Sequence, residues 1–234
     1  MGVKDNKNVL EIGCGVGYST LQLLQLGHQV ISVDYNRECL LRTKSLLEKY
    51  EYKVRIIKRE QLQIYGMSYE AQYPLIENDY DPQYTYLIEG DILQDSNLME
   101  WLTTVHIDAI VGWLIGGHKA IALRGFYRKL GINSDADYRI RIEDSIYLFG
   151  NQLLKVGGTI NFVSRIMYPT DSDLEEELDG IREELDIESR YKTQIVGFKE
   201  YGEIDKGIEM HPNNTERLLD NRKAVLSVNL IKEH

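Results

Sequence analysis

Cysteine is scarce in this sequence, which has only Cys14 and Cys39 among its 234 residues. Two thiols are too few for a disulfide framework or a cysteine metal cluster, and no other group of residues has the spacing of metal ligands. No apolar run approaches the length of a membrane span, and the N-terminus lacks the charged start and apolar middle of a signal peptide. These absences predict a cytoplasmic protein that needs no metal.

Positive charge is also in deficit. The chain carries 27 lysines and arginines against 37 aspartates and glutamates, for a net charge of −10 and a pI near 5.1. Such a chain is poorly suited to wide contact with a phosphate backbone, so a nucleic-acid partner is not predicted. An apolar fraction of 43% is ordinary for a globular chain, and the length predicts a single domain over residues 1–234.

The most informative stretch runs from Val9 to Gly17. It begins with apolar residues around Glu11, as at the end of a buried parallel strand, and it closes with Gly13, Gly15 and Gly17 before an apparent helix start. A strand that passes through glycines into a helix leaves bare backbone and the positive helix end open to a ligand. The spacing is G-x-G-x-G, whereas a dinucleotide fingerprint needs G-x-G-x-x-G.

This glycine turn, with Glu11 two residues ahead of it, resembles the first motif of class I S-adenosylmethionine (SAM)-dependent methyltransferases. The resemblance implies that residues 13–17, Cys14 among them, pass under the methionine end of the cofactor and that Glu11 helps to hold its amino group. It also implies an α/β, Rossmann-like fold. The expected sheet is mostly parallel and seven-stranded, with an antiparallel C-terminal strand and helices on both faces.

A second strand, 29–34, ends on Asp34, about twenty residues after the glycines. The ribose hydroxyls of a bound nucleoside need a bidentate acceptor at this position, so we favour that role over a simple strand-end turn. Tyr35 follows and is expected to pack against the adenine. Asn36 is a good N-cap for a helix over 37–50.

A third core strand, 84–92, ends in Gly-Asp-Ile. This resembles the third motif of the same family, in which the acid accepts a hydrogen bond from the adenine amino group and the next residue packs on the ring. Asp91 and Ile92 are therefore assigned to the cofactor. The alternative for Asp91 is to cap the following helix, predicted over 96–104.

The fourth strand, 106–112, leads into Gly112 and Trp113, which we expect beside the methionine moiety or the acceptor. Asp108 at its start and His118 about ten residues on resemble a loose pattern of small-molecule methyltransferases, such as those of quinone biosynthesis. His118 is the candidate general base because its pKa suits removal of a proton from a hydroxyl or amine. A surface or helix-capping histidine and a core tryptophan are the alternatives.

The fourth strand also lacks two motifs. Enzymes that methylate the adenine amine carry Asn-Pro-Pro-Tyr or Asp-Pro-Pro-Tyr here, and cytosine-carbon enzymes carry a Pro-Cys nucleophile; neither is present. The sequence thus predicts methyl transfer from SAM to an oxygen or nitrogen of a small-molecule acceptor. The alternatives are a catalytically silent SAM-binding subunit, a protein or RNA methyltransferase, a nucleotide-cofactor oxidoreductase, and aminopropyl transfer from decarboxylated SAM.

Some segments are additional to a minimal domain of this kind. Residues 51–83 are expected to form a hairpin or extended excursion, and 118–137 a second insertion whose helix, 119–130, serves as a lid. Few residues precede the first strand, so a homo-oligomer or partner subunit is a possible source of cover. The remaining predicted elements are helices over 138–155 and 171–189 and strands over 159–164, 191–198 and 222–231.

Overall fold

The computed structural model describes residues 7–65, 68–77, 79–116, 125–167, 190–201 and 223–234. Its strands are β1 (Asn8–Ile12), β2 (Gln29–Asp34), β3 (Val54–Ile57), β4 (Gln61–Tyr65), β5 (Ser68–Gln72), β6 (Thr85–Glu89), β7 (Ile107–Trp113), β8 (Leu154–Met167), β9 (Tyr191–Tyr201) and β10 (Lys223–Lys232). Its helices are α1 (Tyr18–Gln25), α2 (Arg37–Lys49), α3 (Ser96–Leu102), α4 (Gly125–Lys129) and α5 (Asp135–Leu153).

One large sheet has the strand order β3-β6-β2-β1-β7-β8-β10-β9. Strands β3 to β8 of this order pair in parallel, and β10 is antiparallel to both of its neighbours. The predicted mostly parallel, Rossmann-like sheet with an antiparallel C-terminal strand is confirmed.

The strand count differs from the prediction, because the sheet has eight strands rather than seven. The additional strand is β3, whose four residues pair with β6 from Thr85 to Ile88 and extend the sheet edge. The sequence Val54-Arg55-Ile56-Ile57 is rich in β-branched residues, which favour a pleated edge. The rest of the 51–83 segment contains the separate antiparallel hairpin of β4 and β5.

Helices cover both faces of the sheet because successive strand residues point to opposite sides. Val9 packs with the buried leucines of α1 and α2, whereas its neighbour Leu10 packs with residues of α3, α4 and α5. Both strand residues are fully buried. A strand buried on both faces explains the nearly continuous apolar run before the glycines.

The structure corrects the predicted boundary between α5 and β8. The helix begins at Asp135 rather than Tyr138, since Ser134 and Asp137 form a reciprocal capping box. Strand β8 begins at Leu154, directly after the helix, rather than at Thr159. Gly157 lies inside this strand with a φ of 85°, and the register against β7 is irregular there, so the glycines mark a bulge rather than a turn.

Two other predicted helices fall partly or wholly outside the described residues. Of the predicted helix 119–130, the structure describes α4, and the predicted helix 171–189 lies outside the described ranges. None of the helices that the structure describes is both long and apolar enough to cross a membrane.

Candidate functional site

The cavity of interest lies at the carboxyl ends of the parallel strands. The chain runs from β1 to β2 on one side and later crosses from β6 to β7 on the other side of β1. Open α/β sheets bind ligands at such a reversal of strand order. The cavity there has a volume of about 320 Å³. It is lined by Ile12, Gly13, Cys14, Gly15, Ser19, Val33, Asp34, Tyr35, Asn36, Cys39, Gly90, Asp91, Ile92, Trp113, Leu114, Ile115, Gly116, Tyr138 and Ile142.

The three glycines of the turn have different tasks. Gly15, with a φ of 53°, faces open space, and a Cβ there would meet no atom within 4 Å. Gly17, with a φ of 91°, packs on α2, because a Cβ there would lie 2.9 Å from the Cα of Thr43. Gly13 donates its N–H to the carbonyl of Val33 at 2.8 Å, which ties the turn to β2. A ligand in this part of the cavity would therefore lie directly against the backbone of Gly15, with no side chain between them.

Asp34 faces the glycine turn. Its Oδ2 accepts the N–H of Gly15 at 3.2 Å, and its Oδ1 accepts the N–H of Asn36 at 2.8 Å. Burial raises the pKa of this carboxyl, and the hydrogen bonds from Asn36 and Gly15 oppose the shift. Oδ1 keeps a lone pair for a hydroxyl, whereas the second lone pair of Oδ2 faces only the weak thiol donor of Cys14 at 3.7 Å. This arrangement fits the ribose of a nucleoside.

The Asp91 carboxylate also accepts several hydrogen bonds. Its Oδ1 accepts the N–H of Leu93 at 3.0 Å, and its Oδ2 accepts both the Gln94 amide at 3.0 Å and the hydroxyl of Tyr127. Tyr127 is completely buried and belongs to α4. The N-cap of α3 is Asp95 and not Asp91, so the alternative role of capping this helix is wrong.

Glu11 lies on the α1 face of the sheet and outside the cavity lining. Its carboxylate accepts hydroxyls from Ser19, from Thr20 at 2.6 Å and from Ser32 at 2.5 Å. Burial raises its pKa, and the three hydroxyls oppose that shift. Glu11 thereby joins β1, β2 and the first turn of α1. Its predicted contact with a cofactor amino group stays a prediction.

Aromatic side chains form the side of the cavity that faces α5. Tyr35 and Tyr138 meet edge to face, with ring centroids 6.0 Å apart at 76°, and Tyr138 meets Tyr127 at 5.6 Å. Ile92 and Ile142 add apolar surface nearby. On the β7 side, the indole of Trp113 donates to the amide oxygen of Asn161 at 2.6 Å. Flat apolar walls with few polar groups suit a purine ring.

Both cysteines line the cavity, and neither is activated. Burial raises the pKa of the Cys14 thiol well above its ordinary value, and Asp34 and Glu11 add to the shift. The Cys14 thiol donates to Asp34 Oδ2 at 3.7 Å. Burial also raises the pKa of Cys39 to about 11. Because only the thiolate is strongly nucleophilic, the raised pKa values disfavour a nucleophilic role for either cysteine.

The predicted site residues thus separate into groups. Those that line the cavity are Gly13, Cys14, Gly15, Asp34, Tyr35, Asp91, Ile92 and Trp113. Glu11 and Gly17 support the turn from behind, Gly112 borders a second, smaller cavity, and His118 lies outside the described residues. The other lining residues were not predicted as site residues: Ile12, Ser19, Val33, Asn36, Cys39, Gly90, Leu114, Ile115, Gly116, Tyr138 and Ile142.

The lining residues far from the sequence motifs carry no local signal that could have revealed them. Tyr138 and Ile142 occupy one helical face of α5 and read as ordinary core positions. Leu114 adopts a φ of 54°, a left-handed conformation rare for leucine, and donates its N–H to Val163 at 2.6 Å. Nothing in the sequence predicts that conformation.

Comparison with known proteins gives one family and one curated relative for the N-terminal part of the chain. Residues 9–73 match the family model of a methyltransferase domain. A protein-L-isoaspartate O-methyltransferase from Christiangramia forsetii is 43% identical over 51 residues. That alignment covers 22% of this chain and 24% of the relative.

Solved structures with a similar fold cover nearly the whole chain at low identity. An rRNA methylase from Streptococcus thermophilus is 14% identical, with a TM-score of 0.47 over 99% of this chain and 90% of its own. The N-methyltransferase NodS from Bradyrhizobium japonicum is 14% identical, with a TM-score of 0.45 over 97% and 86%. Likeness at this level does not bear on the acceptor.

Proposed function

We infer that this chain, a member of the class I SAM-dependent methyltransferase family, binds SAM in the cavity beside the glycine turn and transfers its methyl group. Membership rests on the turn motif and on the family match over residues 9–73. The observation that supports the activity most is Asp34, a buried carboxylate directed at the turn from the next strand tip. We further propose that residues 1–234 act as one domain.

Bound SAM supplies a sulfonium methyl group that is already electrophilic. The residues of this chain have three tasks toward it: Gly15 leaves its backbone open, Asp34 offers two oxygens to the ribose, and Tyr35 and Ile92 enclose the base. The walls also exclude water from the reacting atoms. The protein must then align an acceptor with the methyl group, since holding two reactants in line lowers the entropic part of the barrier.

The proposed acceptor is an oxygen or nitrogen of a small molecule. Three features support this choice: the acidic chain, the lack of the base-amine and cytosine motifs after β7, and a cavity wall continuous with Leu114 and Ile115. The name of the curated relative, a protein-L-isoaspartate O-methyltransferase, favours oxygen and keeps a protein acceptor as the second candidate. RNA transfer and a silent SAM-binding subunit of a complex remain further alternatives.

The test of this function is transfer of label from methyl-tritiated SAM to fractions of a cell extract. Label is expected in the small-molecule fraction. Label confined to protein or to RNA would replace the proposed acceptor class, and SAM binding without any labelled product would favour the silent subunit.

A general base must remove a proton from an acceptor hydroxyl or amine. His118 remains the candidate, although it lies outside the described residues. If it removes the proton, His118→Ala should slow transfer by roughly a hundredfold or more without weakening SAM binding. Unchanged transfer by this variant would remove His118 from the mechanism.

A further inference from the structure

A second, smaller cavity adjoins the first at the ends of β7 and β8. It has a volume of about 10 Å³, enough for one water or one oxygen of an anion. Leu114 and Ile115 line both cavities, so the smaller one opens beside the proposed methyl donor. Its lining residues are Gly112, Leu114, Ile115, Arg139, Glu143, Val163, Ser164 and Arg165.

Two guanidinium groups border this small cavity. Arg139 comes from α5 and Arg165 from β8, and both are partly buried. Within the described part of the chain, neither side chain forms an ion pair or a hydrogen bond. Arginine presents several donors in a planar fork that matches a carboxylate or phosphate group. Two such forks border one cavity of a chain whose net charge is −10, and only Arg139 has a nearby carboxylate in that lining, Glu143.

The other polar residues of this cavity are Glu143 and Ser164. The Ser164 hydroxyl donates to Glu143 Oε1 at 2.6 Å. Burial raises the pKa of the Glu143 carboxyl; the Ser164 hydroxyl and Arg139 oppose the shift, and Asp144 adds to it. Glu143 is thus the one group of this lining whose charge opposes an incoming anion. Arg139 lies on the preceding turn of α5 and borders the same cavity, so it is not an ordinary charge on the helix surface.

We propose that Arg139 and Arg165 form an anion subsite that holds a carboxylate or phosphate group of the methyl acceptor beside the donor cavity. This inference rests on the proposed function and narrows its substrate class from any small molecule to an anionic one. The acceptor is held by its charged group while its oxygen or nitrogen faces the cavity that Leu114 and Ile115 share. A charge clamp remote from the reacting atom contributes orientation.

The test is titration of inorganic phosphate, and separately of benzoate, into the full chain saturated with S-adenosylhomocysteine (SAH), at constant ionic strength. Saturable binding of at least one anion is expected, and the preferred one identifies the charged group. Arg139→Gln and Arg165→Gln should each weaken it by roughly tenfold or more, since each removes charge-assisted hydrogen bonds. Glu143→Gln should tighten it.

The matched control is Arg141→Gln, an exposed arginine on α5 outside the cavity lining, which should change anion affinity less than about twofold. Saturable binding of neither anion to the SAH complex would overturn the subsite alone. Equal weakening by Arg141→Gln would do the same, because it would show only a general charge effect. Failure of SAH itself to bind would overturn the proposed function and the subsite together.

Discussion

At the scale of single residues, one part of the turn after β1 borders the cavity, and other residues hold the turn in place. Gly15 borders open cavity, Gly17 is required by the approach of α2, and Glu11 holds the strand to the helix from below. The sequence motif predicted the bend and the facing Asp34, since both depend on local spacing. It could not separate the tasks of the glycines, because that depends on which element packs behind each one.

Alanine substitutions at two of these glycines should therefore affect different properties, namely the stability of the fold at Gly17 and the affinity for SAH at Gly15. Gly17→Ala should destabilise the fold by about 2 kcal/mol or more, because its Cβ would press on the Thr43 backbone at a positive φ. Gly15→Ala carries only the left-handed backbone cost, about 1 kcal/mol, but places a methyl group at the cavity surface. Urea unfolding and SAH calorimetry measure the two effects. Greater loss of SAH affinity in Gly17→Ala than in an equally folded Gly15→Ala would contradict this division.

Asp34 should make cofactor affinity sensitive to pH. Its pKa is raised by burial, and only the ionised carboxylate offers full acceptor strength to ribose hydroxyls. Affinity for SAH should fall as the pH drops through the raised pKa of this carboxyl, because the protonated form loses acceptor strength. Calorimetry from neutral to mildly acidic pH checks the sign, with circular dichroism to confirm folding. Tighter binding on acidification would contradict it, and Asp34→Asn should flatten the profile.

At the scale of elements, the segment after β3 is fastened by one buried ion pair. Arg59 donates to Asp95 at 2.7 and 3.0 Å and to the carbonyl of Pro74 at 2.5 and 2.8 Å. Its guanidinium also lies 5.7 Å from the ring centre of Tyr73. The sequence predicted an excursion here but not its anchor, because residues 36 positions apart carry no mutual signal in one sequence.

Arg59→Gln should destabilise the protein by about 3–5 kcal/mol, because it leaves the Asp95 carboxylate buried without its partner. The matched control is Arg42→Gln, which breaks the exposed Arg42–Glu38 pair on α2 and should cost less than about 1 kcal/mol. Urea denaturation of both variants measures the difference. Equal small losses would show that the pair does not anchor the segment.

At the scale of the whole molecule, the sequence predicted the mostly parallel sheet and its antiparallel C-terminal strand, but it predicted little of the cavity wall beyond β7. Alternating strand and helix signals specify a parallel sheet, and strand-tip acids locate the cofactor edge. The wall contributed by α5, with Tyr138 and Ile142, and the support of Tyr138 by Tyr127 of α4 arise from packing between distant parts of the chain. The same is true of Arg139 and Arg165. They border one cavity because β8 pairs with β7 and α5 packs nearby.

The most direct test of the account is calorimetric titration of the full chain with SAH and, separately, with a nicotinamide dinucleotide. We expect one SAH per chain, no detectable dinucleotide binding, and a loss of at least about tenfold in SAH affinity in Asp34→Ala, which removes two acceptors from the ribose. Tight dinucleotide binding without SAH binding would contradict the account.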